Sequence, residues 1–132
     1  MIDAALRRFV RGRAGDRCEY CRLPQFSVDA TFHVEHVRPK QHGGSSDAEN
    51  LALACDRCNL HKGPNLTGID PLTDSVALLV NPRRDQWDEH FELGEALVVG
   101  KTPVGRATVE LLQMNAWRRR QLRAALLDEG RW

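Results

Sequence analysis

Four cysteines fall as two C-x-x-C pairs, Cys18-Glu-Tyr-Cys21 and Cys55-Asp-Arg-Cys58, with 33 residues between them. Each pair offers two thiolates from one tight turn, and four thiolates saturate a tetrahedral zinc. A zinc held by Cys18, Cys21, Cys55 and Cys58 is structural, because sulfur ligands that fill every position leave none for substrate. The interval is longer than a compact zinc ribbon needs and leaves room for a strand pair between the knuckles. Two other readings stand beside this one: four buried, unligated cysteines, or a redox C-x-x-C. The redox reading lacks the thioredoxin-like βαβ pattern that should surround such a pair.

The opening stretch, MIDAALRRFVRGRAGD, has no signal-peptide apolar core and no small-residue cleavage site. No segment approaches a membrane span. A cytoplasmic protein with no membrane partner is therefore expected, in a compartment that favours metal thiolates over disulfides. The 132 residues are 42% hydrophobic and 28% charged. They suit one domain, 1–132, with a core at about 14–66 and an extension at about 67–132. A net charge of +1 gives no global basicity of the kind that marks many nucleic-acid binders. Arginines do cluster, at Arg7, Arg8, Arg11 and Arg13 and again at Arg118, Arg119, Arg120 and Arg123. Each cluster reads as a solvated helix face or as a phosphate-facing one.

Periodicity places a short amphipathic helix at 3–13, ended by Gly15. Strands are expected at Thr31–Val37 and Asn50–Ala54, with the Gly43-Gly44 loop between them. A helix of about two turns follows from Asp56 until Gly63-Pro64 stops it. Beyond it come a turn-rich connector at Thr67–Pro71, strands at Ser75–Val80 and Ala96–Gly100, and a helical turn at Trp87–Phe91. One long helix is expected from Gly105 to about Asp128, with a stripe of Val109, Leu112, Ala116, Leu122, Leu126 and Leu127.

Reactive side chains concentrate where the zinc would hold the backbone still. Hydrolysing a phosphodiester with one metal calls for a base, hard oxygen ligands, something to orient the base, and a positive charge toward phosphate. His36 titrates near neutrality and suits the base. Glu35 and the Asn59 side-chain oxygen suit Mg²⁺ or another divalent cation. Lys62, three residues beyond Asn59 on the same helix face, suits a point charge on the phosphate backbone. Asn50, at the far end of the loop, suits a backbone clamp that fixes the geometry carrying His36. The bland alternative is a zinc-stapled fold whose polar residues only cap turns.

Glu35-His36, then Asn50, then Asn59 with Lys62 three positions on, resembles the HNH endonuclease motif in the subtype framed by two C-x-x-C pairs. The resemblance implies a ββα-metal core, with Glu35 and Asn59 as ligands of the catalytic cation and His36 as general base. It makes Asn50 the loop-fixing asparagine. It also implies cleavage of DNA by an activated water, leaving 5′-phosphate and 3′-hydroxyl ends. The chain departs from the founding pattern twice, with Asn59 where a histidine stands and Glu35 where Asp is frequent. Downstream, Asn65–Pro71, Asn81-Pro-Arg83, Trp87–Phe91 and Gly105–Val109 resemble small stand-alone bacterial HNH proteins.

Other candidates carry bland readings beside functional ones. His33 is a further ligand or phosphate contact, or an ordinary hydrogen-bonded histidine. His42 sits in the glycine loop, His61 points away from the Asn59 face, and Asp70 reads as a turn carboxylate. The fold expected is α+β, a zinc-stapled ββα-metal core with an N-terminal helix and a C-terminal strand-and-helix extension. The activity expected is metal-dependent DNA hydrolysis, with RNA left open as a substrate and a protein partner as a source of specificity. The alternative is a non-catalytic zinc module that binds nucleic acid or a protein.

Overall fold

The computed structural model describes residues 2–132. The chain forms two compact units. One runs to Asn65 and adds Asn81–Arg84; the other comprises Leu66–Val80 and Asp85–Trp132.

In the first unit, helix α1 (Ala4–Arg13) starts at Asp3, whose carboxylate accepts from the Leu6 amide at 2.8 Å. This is an ordinary N-cap, satisfying an orphan amide of the first turn. Strands β1 (His33–His36) and β2 (Leu51–Ala54) pair antiparallel, with Glu35 opposite Ala52 and His36 opposite Leu51. All four β2 residues are buried, so this strand is the spine of the unit. The Cys18–Cys21 knuckle joins it at Glu19, whose amide donates to the Leu53 carbonyl and whose carboxylate accepts from the Leu53 amide, both at 2.8 Å. Helix α2 (Asp56–Lys62) follows β2 directly, with Cys55 as its N-cap.

The N-terminal arginines divide in their roles. Arg11 donates to the Phe32 carbonyl at 2.8 Å, and Arg13 donates to Ala48 at 3.0 Å and Leu51 at 2.7 Å. Both guanidiniums therefore tie α1 to the hairpin, a clamping role that neither a solvated nor a phosphate-facing reading contains. Arg7 and Arg8 stay exposed.

The second unit differs from the sequence expectation in three places. Thr67–Pro71 is not a bare connector, because Thr67–Asp70 forms strand β3, paired antiparallel with β4 (Ser75–Leu78). Asp70 is what makes that hairpin close. Its carboxylate accepts from the Leu72 amide and the Thr73 hydroxyl and takes two bonds from Arg106, at 2.9 and 2.8 Å. After α3 (Trp87–His90), the unexpected strand β5 (Phe91–Gly94) pairs with β6 (Leu97–Gly100).

The long C-terminal helix is two helices, α4 (Pro103–Leu111) and α5 (Trp117–Asp128). Gln113 adopts a left-handed φ of 52° in the break. Asn115 explains why the break holds, since its amide pairs in both directions with the Val98 backbone at 2.9 Å. Arg119 and Arg123 then collect carbonyls that the interrupted helix leaves open, at Leu112, Gln113 and Met114. Arg123 is only 2% exposed, and Trp132 packs over its guanidinium at 5.6 Å. A helical stripe thus continues in sequence across a break that polar side chains impose. Among the described residues, no helix is long and apolar enough to cross a membrane.

The Asp70 hydrogen bonds, those from Arg106 foremost, hold its carboxyl well below the usual carboxylate range. A group with a depressed folded pKa stabilises fully above its unfolded value, about 3.9, and loses that contribution as pH falls toward the folded value. Asp70→Asn is expected to lower Tm at pH 7, and the gap to wild type should narrow steadily below about pH 4. Melting curves across pH check this; a gap unchanged down to pH 2 would contradict it.

Candidate metal centre and active site

The four cysteine sulfurs, all buried, lie within 4.8 Å of one another. Cys21 and Cys55 Sγ are 3.8 Å apart, close to the separation of about 3.8 Å that Zn–S bonds of about 2.3 Å give in a tetrahedron. Burial pushes the Cys18 and Cys58 thiols up, so deprotonating this set calls for a cation that stabilises thiolate directly. Donor type, number and spacing all fit zinc. Cys55 also shapes the helix, because its Sγ accepts from the Cys58 amide at 3.4 Å as the N-cap of α2. The cluster therefore fixes where α2 begins and how it points.

Along α2, Asp56, Asn59 and Lys62 recur at three-residue spacing and share the face turned to β1. His33 Nε2 lies 3.1 Å from Asp56 Oδ1, the ordinary hydrogen bond of its bland reading. At the other end Lys62 Nζ donates to Glu35 Oε2 at 3.1 Å and to the His36 carbonyl at 3.2 Å. Lys62 is 2% exposed. It does not face solvent, as a phosphate contact would require; its charge lies beneath the site, paired with Glu35. Removing one partner of such a buried pair typically costs about 3–5 kcal/mol. Asn59, between these two pairs, makes no side-chain hydrogen bond among the described residues.

Glu35 is held from both sides, because the Tyr20 hydroxyl donates to its other oxygen, Oε1. Burial pushes the Glu35 carboxyl up, while Lys62 and Tyr20 pull it back. Strand alternation would separate Glu35 from His36, yet both line one open cleft. His36 is the last residue of β1, where the pleat ends. The cleft is about 470 Å³ and also takes in His33, Lys40, Asn59 and Pro64. His36 Nε2 sits 2.9 Å from Ser46 Oγ. Burial, with Lys40 and Lys62 nearby, lowers the pKa of this histidine.

Asn50 spans the loop. Its Oδ1 accepts from the Arg38 amide at 2.9 Å, and its Nδ2 donates to the Arg38 carbonyl at 2.9 Å and the Ser45 carbonyl at 2.7 Å. The loop passes so close that a Cβ on Gly44 would lie 1.7 Å from the Arg38 carbonyl oxygen. His42 donates to the Pro64 carbonyl at 3.1 Å, tying the loop tip to the end of α2. The unit is thus a ββα fold with a sulfur cluster at the helix start and Glu35, His36 and Asn59 in one cleft. Residues 18–65 match the family model for HNH endonuclease.

This segment is an HNH domain. The match covers the ββα unit that the resemblance implied and the four clustered cysteines whose spacing implied a zinc site. Septu protein PtuB from Bacillus thuringiensis is 27% identical over 104 residues, covering 77% of this chain and 38% of that protein. The chain thus spans under two fifths of that relative's length. No solved structure matches it.

Two residues at the HNH site escaped sequence reasoning. Tyr20 lay hidden inside a C-x-x-C knuckle, where ligand spacing commands notice. Ser46 followed two glycines in a loop with no periodicity to orient it. Separation of the sulfur cluster from Asn59 yields a test. Cys55→Ser is expected to lose zinc and its cooperative melt, whereas Asn59→Ala keeps zinc at the wild-type level. Metal analysis of both purified variants checks this; zinc loss from both would contradict it.

Proposed function

We propose that the HNH domain hydrolyses phosphodiester bonds in DNA. A divalent cation such as Mg²⁺ would be held by Glu35 and Asn59, and His36 would activate water. The observation that carries this reading is the open cleft itself. It gathers a carboxylate, an unpaired amide and an imidazole, set apart from the sulfur cluster. Each carboxylate oxygen has two lone pairs, so the bonds from Tyr20 and Lys62 leave acceptor capacity on Glu35. Asn59 adds a neutral hard oxygen, and Mg²⁺ takes one or two protein ligands while keeping water and phosphate oxygens. When bound, the cation supplies charge that polarises the phosphoryl group and stabilises the leaving oxygen.

The chain's own groups do the rest. His36 removes a proton from the attacking water, and its bond to Ser46 holds the ring in place. Asn50 locks the loop that carries His36 into the cleft. Lys40, on the cleft wall, faces the phosphate in place of the buried Lys62. Attack at phosphorus forms the new P–O bond and breaks the bond to the 3′ oxygen, which leaves as a 3′ hydroxyl on taking a proton from solvent water, with the phosphate kept on the 5′ end. Groups of this kind contact the nucleic-acid backbone rather than base edges, which leaves a protein partner as a possible source of any sequence specificity. RNA remains a substrate class for the assay.

One observation favours the competing reading of a non-catalytic zinc module. Glu35, Tyr20 and Lys62 satisfy one another without a cation. Plasmid nicking separates the two readings. Cleavage is expected with Mg²⁺ or Mn²⁺, abolished by EDTA and lowered about 10²–10⁴-fold by His36→Ala, the range general-base catalysis supplies. A folded, zinc-loaded protein that cuts nothing with several divalent metals would make the domain a binding module.

A further inference from the structure

One hydrogen bond links the first zinc knuckle to the cleft. Tyr20 stands between Cys18 and Cys21, its side chain fully buried at 0% exposure. Its hydroxyl reaches out of the knuckle to Glu35 Oε1. The other oxygen of Glu35 takes the Lys62 ammonium at 3.1 Å, and Lys62 lies one helical turn past Cys58. Both groups that hold Glu35 are therefore carried by backbone that the sulfur cluster fixes. Packing does not require the hydroxyl, since a phenyl ring fills the same buried volume. The oxygen is the part that serves Glu35.

We propose that Tyr20 is a positioning residue for the cation at Glu35, so that the zinc knuckle sets the orientation of the catalytic carboxylate. The proposal rests on Glu35 as a ligand of that cation. A glutamate on a four-residue strand has side-chain torsions that the strand alone leaves free. Donors on both oxygens select one arrangement and turn the remaining lone pairs toward the cleft. Groups that orient a metal ligand in this way typically account for about 10–100-fold in metal affinity. Zinc and the second cation are thereby coupled through one hydroxyl, with no shared ligand.

Tyr20→Phe removes the hydroxyl and keeps the ring. Mn²⁺ titration of zinc-loaded protein, reading free Mn²⁺ by electron paramagnetic resonance, is expected to show affinity weakened about 10–100-fold. Zinc content and Tm should stay near wild type, a separation that a purely structural role would not produce. Glu35→Gln runs alongside. If it abolishes Mn²⁺ binding while Tyr20→Phe binds as wild type, the positioning proposal is overturned and Glu35 stands as a ligand. If Glu35→Gln binds Mn²⁺ as wild type, the ligand assignment falls and the proposal falls with it. Wild-type protein gives a second readout, independent of how the variants fold. Tyr20 is the one tyrosine in the chain, so its ring resonances are expected to shift as Mg²⁺ is added. Resonances unmoved at saturating Mg²⁺ would overturn the proposal.

Discussion

Cys18, Cys21, Cys55 and Cys58 bring together two segments that lie 33 residues apart in the chain, and the first unit is arranged around their sulfurs. Strands of four residues and a seven-residue helix are too short to hold themselves, since isolated helices below about 12–15 residues are marginal in water. Structural zinc supplies apparent folding energies of about 10–16 kcal/mol in zinc-finger peptides. That matches the whole net stability of a typical domain, about 5–15 kcal/mol. A zinc held by this cluster would accordingly be the strongest single constraint available to the unit. Because Cys55 belongs to the sulfur cluster and also caps α2, whatever fixes the cluster fixes the helix. Because α2 faces β1, fixing the helix places Asn59 and Lys62 opposite Glu35.

A second, purely hydrogen-bonded constraint shapes the other wall of the cleft. The Asn50 amide makes three bonds to the loop backbone, each worth about 1 kcal/mol net, and Gly44 makes the close approach possible. The loop that results carries Ser46 to His36. Sulfur ligands fix the acidic side of the cleft, and Asn50 fixes the basic side. The two devices meet in β1, where Glu35 and His36 are neighbours.

Much of this was legible because it is local or because it follows chemical rules of spacing. Two C-x-x-C pairs point to a zinc site whatever lies between them, and the four sulfurs do cluster. Asp56–Lys62 is bounded by a cap and a glycine, and β1 lies inside Thr31–Val37, a stretch with β-branched and aromatic residues that Pro39 stops. What stayed hidden depends on partners distant in sequence. Lys62 looked like a surface cation because nothing local reveals that Glu35 lies across from it. Arg11, Arg13 and Arg123 read as solvated or phosphate-facing because their acceptors are backbone carbonyls, which sequence does not mark. The break between α4 and α5 is imposed by Asn115 on Val98, overriding an apolar periodicity that runs through it. Thr67–Asp70 reads as a turn until Ser75–Leu78 pairs with it.

One short helix is expected to carry two metal sites of different chemistry, sulfur at its start and oxygen along its face. Anomalous diffraction from crystals grown with zinc and manganese, recorded at both absorption edges, tests it most directly. A zinc peak among the four cysteine sulfurs and a separate manganese peak between Glu35 and Asn59 are expected. A single shared peak, or manganese among the cysteines with the cleft empty, would contradict it.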